Sequence, residues 1–154
     1  METILNKLKK SPVEEIQLSI DDSFTFRCHS EVSCFNKCCG DLEIFLTPYD
    51  ILRMRKNRNI TSTEFLLTYT ETVILKDTQI PLIKLKMKEN GRCSFNTETK
   101  DGCIIYNDRP VACRYYPIGM GAFKRGRLGG KEFFFLIKED HCNGFQEKTE
   151  SMKL

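Results

Sequence analysis

Cysteine is the residue type most able to do chemistry in this 154-residue chain. There are eight: Cys28, Cys34, Cys38, Cys39, Cys93, Cys103, Cys113 and Cys142. Four of them fall within twelve residues, as Cys28-x5-Cys34-x3-Cys38-Cys39. Three more follow as Cys93-x9-Cys103-x9-Cys113, and Cys142 stands apart. Thiolates are soft donors that suit zinc and iron–sulfur clusters and do not suit magnesium or calcium. An even cysteine count suggests disulfides in an oxidising compartment, whereas clustered thiols in a reducing one more often bind metal. The stretch from Met1 to Lys10 alternates charge with apolar residues and lacks the apolar core of a secretory signal. The apolar run Phe133 to Ile137 is far too short to cross a bilayer. The expectation is therefore a cytoplasmic protein, without membrane association, whose thiols are reduced and bind a metal ion or cluster.

All eight cysteines are candidate ligands. The first group could supply one site and the later four another, or the groups could interleave; spacing alone leaves both open. Neighbours on a regular strand point to opposite faces. Cys38 and Cys39 therefore reach one centre only from an irregular turn, or they serve two adjacent centres. The chain has no Cys-x2-Cys pair, the usual unit of structural zinc sites. That omission favours an iron–sulfur cluster, whose ligand spacings vary more, with zinc as the alternative. His29 and His141 adjoin Cys28 and Cys142 but have no regularly spaced partner, and read first as loop residues. Several thiolates around one metal leave negative charge, which nearby cationic donors would stabilise. Arg27, Lys37, Arg92, Arg109 and Arg114 lie close to cysteines; Arg114 is the first choice for this role and Arg109 the second.

The elements that must position these residues are short. The stretch 1–20 reads as a helical lead-in with Leu5 and Leu8 on one face, interrupted by Pro12. Phe24 to Arg27 alternates as a strand running into Cys28, and Leu42 to Leu46 reads as a second strand. Thr47 followed by Pro48 predicts a helix start, because proline at the first helical position gives up an N–H that would be unsatisfied anyway. Basic residues Arg53, Arg55, Lys56 and Arg58 lie towards that helix's end, where they complement its dipole. Thr61 with Glu64 three residues on is a capping-box signature for a second helix. Val73 to Leu75 and Leu82 to Met87 read as a hairpin around Lys76 to Pro81. Turns and short helix fill Gly91 to Pro117. Ile118 to Phe123 and Glu132 to Ile137 read as a closing hairpin whose basic, glycine-rich loop is an exposed turn.

Composition agrees with a folded domain: 40% of residues are hydrophobic, 29% are charged, and the net charge is only +3. So small a charge argues against nucleic acid as partner. Neither Arg53–Arg58 nor Lys124–Arg127 has aromatic residues interleaved, so both read as solvated faces. The expected fold is α+β: a small single domain with short strands, two or three helices and a loop-rich cysteine metal site. Its expected organisation is a lead-in over 1–23, the cysteine-cluster domain over 24–145 and a polar tail over 146–154.

Five segments then carry a resemblance. Phe26-Arg27-Cys28, Cys34-Phe35-Asn36-Lys37-Cys38-Cys39, Ile44-Phe45-Leu46-Thr47-Pro48-Tyr49-Asp50-Ile51, Gly102-Cys103-Ile104-Ile105-Tyr106 and Arg109-Pro110-x2-Cys113-Arg114-x-Tyr116-Pro117 together resemble the YkgJ-like cysteine-cluster family. They span roughly residues 24–145. The intervals in the first group are five and three, where the family's Cys-x2-Cys-x2-Cys-Cys label has two and two. The resemblance implies chelation of zinc or iron. Related domains in flagellin lysine methylases look like iron–sulfur proteins, which supports iron over zinc. It does not imply a methylase here, since the chain has no Gly-x-Gly-x2-Gly fingerprint and little room for an additional S-adenosylmethionine-binding domain.

Two functions compete at this level. One is a binding module with a structural or redox role. The other is a metal-dependent oxidoreductase or modifying enzyme, in which Tyr106, Asp108, Tyr115 and Tyr116 would line a pocket beside the metal. The plainer reading of those four is core and turn packing. No Ser-His-Asp or paired-carboxylate arrangement stands out.

Overall fold

The computed structural model describes residue 13 and residues 17–97, 99, 101–125, 129–147 and 152–153. Most of the expected helical lead-in 1–20 lies outside the described residues; of its described part, Val13 and Leu18 form antiparallel bridges to Ile137 and Phe134 and are not helical. The chain divides into two units, Arg27–Tyr115 and a second composed of Met1–Phe26 with Tyr116–Leu154. The architecture is α+β and loop-rich, as the sequence predicts, with three short helices and antiparallel strand pairs among the described residues. No helix of the described residues is long and apolar enough to cross a membrane.

In the Arg27–Tyr115 unit, helix α1 runs Pro48–Arg58 and α2 runs Ser62–Tyr69. Both begin with a reciprocal capping box. The Thr47 hydroxyl accepts from the Asp50 N–H at 3.1 Å while the Thr47 N–H donates to the Asp50 carboxylate at 2.9 Å. Thr61 and Glu64 repeat the pattern at 3.2 and 2.8 Å. Two amide donors at each helix start, which have no partner inside the helix, are thus satisfied. Helix α1 stops at Asn59, whose φ of 54° is left-handed and turns its N–H back onto the carbonyls of Arg55 and Lys56.

Strand β2 (Thr70–Ile74) follows α2 directly and pairs with β3 (Pro81–Leu85), from Thr70 opposite Leu85 to Ile74 opposite Pro81. The expected strand at Leu42 to Leu46 is an irregular edge of β3: the Leu46 N–H donates to the Ile83 carbonyl and the Leu85 N–H to the Ile44 carbonyl, each at 2.8 Å, with a single bridge at Phe45 and Lys84. Alternate residues Ile44 and Leu46 still turn inward to join Met54, Phe65, Leu85, Phe95 and Ile105 in the core. Phe65, Tyr69 and Phe95 pack ring against ring, with centroids 4.8 to 6.4 Å apart.

Between β3 and Tyr115 the described residues form no long regular element. A 3-10 turn at Tyr106–Asp108 and the five-residue helix α3 (Val111–Tyr115) are joined by turns and isolated bridges.

The second unit is built on the hairpin of β4 (Ile118–Arg125) and β5 (Gly129–Leu136), in register from Ile118 opposite Leu136 to Arg125 opposite Gly129. The strands run two or three residues further towards the loop than the apolar pattern marks. Strand β1 (Ser23–Phe24) pairs with β6 (Met152–Lys153). Phe24, Phe26 and Leu136 are buried together, with Leu18, Tyr116, Ile118, Cys142 and Phe145 packed against them. The Phe24 to Arg27 alternation is therefore expressed in burial, although the ladder itself covers only two residues.

A candidate metal centre

Four thiols from three stretches of the Arg27–Tyr115 unit act on one another: Cys39, Cys93, Cys103 and Cys113. Cys39 ends the 3-10 turn Lys37–Cys39, set between Asn36 at φ 66° and the extended Gly40. The irregular turn that two adjacent cysteines require is therefore present. The Cys93 N–H donates to the Cys39 carbonyl at 2.8 Å, and Asp41 donates to the Gly91 carbonyl at 2.8 Å, so the two stretches lie side by side. Gly91 holds φ +77°, and a Cβ there would run into the Asp41 carboxylate, so this crossing needs glycine.

Cys93 and Cys103 sit in matching turns. The Phe95 N–H donates to the Cys93 sulfur and the Ile105 N–H to the Cys103 sulfur. In both, the residue two positions after the cysteine is an apolar anchor, 1% exposed, sunk in the core. Burial of the anchor fixes the turn and leaves its backbone donor facing sulfur. The Ile104 N–H donates to the Phe95 carbonyl at 3.0 Å, and Asn96 bridges Cys103, tying the two turns together. Cys113 is carried on α3, whose first turn closes when the Cys113 and Arg114 N–H groups donate to the Pro110 carbonyl at 3.0 Å.

The electrostatics of this cluster are uneven. The Cys38 thiol donates to Cys39 and holds it down to about 6; burial opposes this, and the Asn96 amide, Arg92 and Arg109 assist it. Burial pushes Cys113 up to about 12, reinforced by the charge of Cys93, Cys39 and Cys103. Cys93 and Cys103 are raised for the same first reason, burial, with Cys39 adding to it. One thiolate is thus favoured at neutral pH, and each further ionisation is resisted by low polarity and like charge. A bound cation removes that resistance, so the donor set has the chemistry of a metal centre. Among the described residues, no three His, Cys, Asp or Glu side chains close on a single point as a finished ion site does. The match is in donor type and neighbourhood.

The remaining cysteines are distributed differently. Cys38 lies against Cys39. Cys28 is exposed, Cys34 is buried, and none of the eight is bonded to another in a disulfide. Cys142 packs in the apolar cluster of the second unit. His29 lies beside Glu31 at 4.0 Å, and His141 beside Glu139 at 3.2 Å.

Arg109 acts on Cys39, Cys103 and Cys113. It is pinned with its guanidinium 3.7 Å from the Tyr106 ring centroid and its Nε–H donating to the Tyr106 carbonyl at 2.9 Å. Arg114 instead contributes its charge at Asp108. Tyr106 and Tyr115 are about half exposed, at 51% and 57%.

Several residues around the site have no prominence in the sequence. Asp50 is 1% exposed, and besides capping α1 it accepts the Val111 N–H at 2.9 Å. Arg53 donates to Asp108 at 3.0 and 3.2 Å and also to the Asn107 carbonyl. Asn57 donates to the other Asp108 oxygen at 2.9 Å. Thr47-x2-Asp50 is a readable capping box, but nothing in sequence announces its reach to residue 111. Arg53 is turned to Asp108 and does not belong to a free basic face.

The cysteine spacing is only part of a larger pattern. The family model for CxxCxxCC, described as a "putative zinc- or iron-chelating domain", matches residues 27–143. The chain belongs to the CxxCxxCC family. No curated protein and no solved structure gives a match. The CxxCxxCC match takes in all the cysteines and the capped helix α1. It agrees with the YkgJ-like resemblance and supports metal, zinc or iron, as the ligand of this chain.

Proposed function

We propose that this CxxCxxCC protein holds an iron–sulfur cluster, in a structural or redox role, and that Cys39, Cys93, Cys103 and Cys113 are its principal ligands. The observation that carries the reading is that these four thiols lie near enough to act on one another's ionisation, with backbone N–H groups directed at two of the sulfurs. Backbone donors to sulfur stabilise thiolate and tune clusters. Cys38 stands next to the centre, while Cys28 and Cys34 belong to the loop that leads to it. Arg109 and Arg92 supply positive charge. A cytoplasmic, reducing setting fits thiols that are not in disulfides. The second reading is a structural zinc site, favoured by a set of four cysteines within one unit, the number a closed tetrahedral site requires.

Anaerobic purification followed by iron, acid-labile sulfide and zinc analysis, with a visible spectrum, separates the two. A coloured protein with iron and sulfide is expected; a colourless one with stoichiometric zinc selects the second reading. A metal-free protein whose stability is unchanged by chelator would overturn both. Replacing Cys39 or Cys113 by Ser should lower metal content and thermal stability together.

A further inference from the structure

Helix α1 carries no cysteine, yet one polar stripe of it grips the segment between the last two proposed ligands. Asp50, Arg53 and Asn57 follow at intervals of three and four, which places them on one face of the helix. Each reaches the stretch between Cys103 and Cys113. Asn57 and Arg53 hold both oxygens of Asp108, at 2.9 and 3.0 Å, and Arg53 also reaches the Asn107 carbonyl. Asp50 accepts the N–H of Val111, the first residue of α3, at 2.9 Å. The segment so held contains Arg109, the guanidinium that acts on three of the four thiols.

We infer that this stripe is a positioning clamp: Asp50, Arg53 and Asn57 set the placement of Cys113 and Arg109 relative to Cys103, and thereby the affinity of the metal centre. The inference rests on the reading of the four cysteines as ligands. Asp50 is the anchor because it is fixed from its own side. Its second oxygen is held by the Thr47 N–H at 2.9 Å and the Thr47 hydroxyl at 2.8 Å, and its side chain is almost fully buried. A carboxylate tied at one end to a capped helix and at the other to the start of α3 leaves Cys113 little freedom. With five residues, α3 has too few internal hydrogen bonds to hold itself in place. Arg53 and Asn57 do the same for the 3-10 turn Tyr106–Asp108. None of the three contacts metal in this scheme; they act through the backbone of residues 107–111.

The test is a cobalt(II) titration of the reduced full-length chain, followed by thiolate-to-metal absorption, with affinity from competition against a chelator. Val111→Pro removes the N–H that Asp50 receives, at a first helical position where proline is tolerated. Asn57→Ala with Arg53→Gln releases Asp108. Thr61→Ala weakens the cap of α2 and leaves the bonds of Asp50, Arg53 and Asn57 in place. Expected are cobalt affinities about tenfold to a hundredfold weaker, with altered absorption bands, for Val111→Pro and for the double variant. Thr61→Ala should melt at lower temperature yet bind cobalt with the wild-type spectrum and affinity. Wild-type affinity and spectrum in both clamp variants would overturn the clamp while leaving the ligand assignment intact. So would an equal loss in Thr61→Ala, since the effect would then follow general stability. A wild-type titration without thiolate bands would instead overturn the ligand assignment itself, and the clamp with it.

Discussion

In the proposed centre, Cys39 sets the character at the level of single side chains. Its ionisation near neutrality depends first on the hydrogen bond from Cys38. The vicinal pair thus works as one unit, a thiolate with its own donor. Cys93, Cys103 and Cys113 enter as thiols, because burial keeps them protonated. Metal uptake at pH 7 should therefore release about three protons per site, not four. Calorimetry in buffers of different ionisation enthalpy would measure the number; release near zero would mean that these thiols are not ligands. Asp108 gives a separate titration. The Asn57 amide first, then Arg53, holds its carboxyl below the ordinary value of 3.8. A depressed carboxyl stabilises the fold above its unfolded value, and that contribution disappears as pH falls through the folded one. Wild type should lose stability in acid below about pH 4, and Asp108→Asn should lack that component of the pH profile. Superimposable acid-melting curves for the two proteins would count against it.

Capping and anchoring decide the behaviour of the elements. The Thr47 cap is complete in both directions, so Thr47→Ala should cost about 1 kcal/mol in a denaturant melt. Phe65 is fully buried between Tyr69 and Phe95, and Phe65→Ala should cost about 3 to 5 kcal/mol. A loss under 1 kcal/mol would mean that the core does not close around it. Both helix starts were legible in the sequence because capping chemistry is local: Thr-Pro and Thr-x2-Glu name their own partners. The β2–β3 and β4–β5 hairpins were legible for a related reason, since alternation and turn residues lie within one short stretch. The Leu42–Leu46 edge was only half legible. Its apolar alternation survives as burial of Ile44 and Leu46, but regular pairing does not, and sequence period reports facing, not hydrogen bonding. Eight candidate thiols are legible in the sequence, whereas the grouping of four proposed from the structure is not. The contact of Cys39 with Cys93 runs through a backbone pairing across more than fifty residues, and Asp50 reaches Val111 across sixty-one. No local pattern encodes either.

For the molecule as a whole, each of the two units has its own apolar cluster, and seven of the eight cysteines fall in the Arg27–Tyr115 unit. That unit combines two modes of construction. Capped helices and a hairpin surround Met54, Phe65 and Leu85, whereas the stretch from Gly91 to Tyr115 is held by single bridges, tight turns and the contacts of α1. Isolated bridges contribute little cooperativity of their own, so the bridge and turn amides of such a stretch are expected to open locally before those of the helices. Its amides at Cys93, Asn96, Ile104 and Tyr106, each donating to a nearby carbonyl, are consequently natural reporters of chelation. In deuterium exchange they should trade hydrogen quickly in chelator-treated protein and slowly once metal is restored, while the amides of α1 change little. The turns that present sulfur would thus double as a built-in gauge of whether the centre is filled.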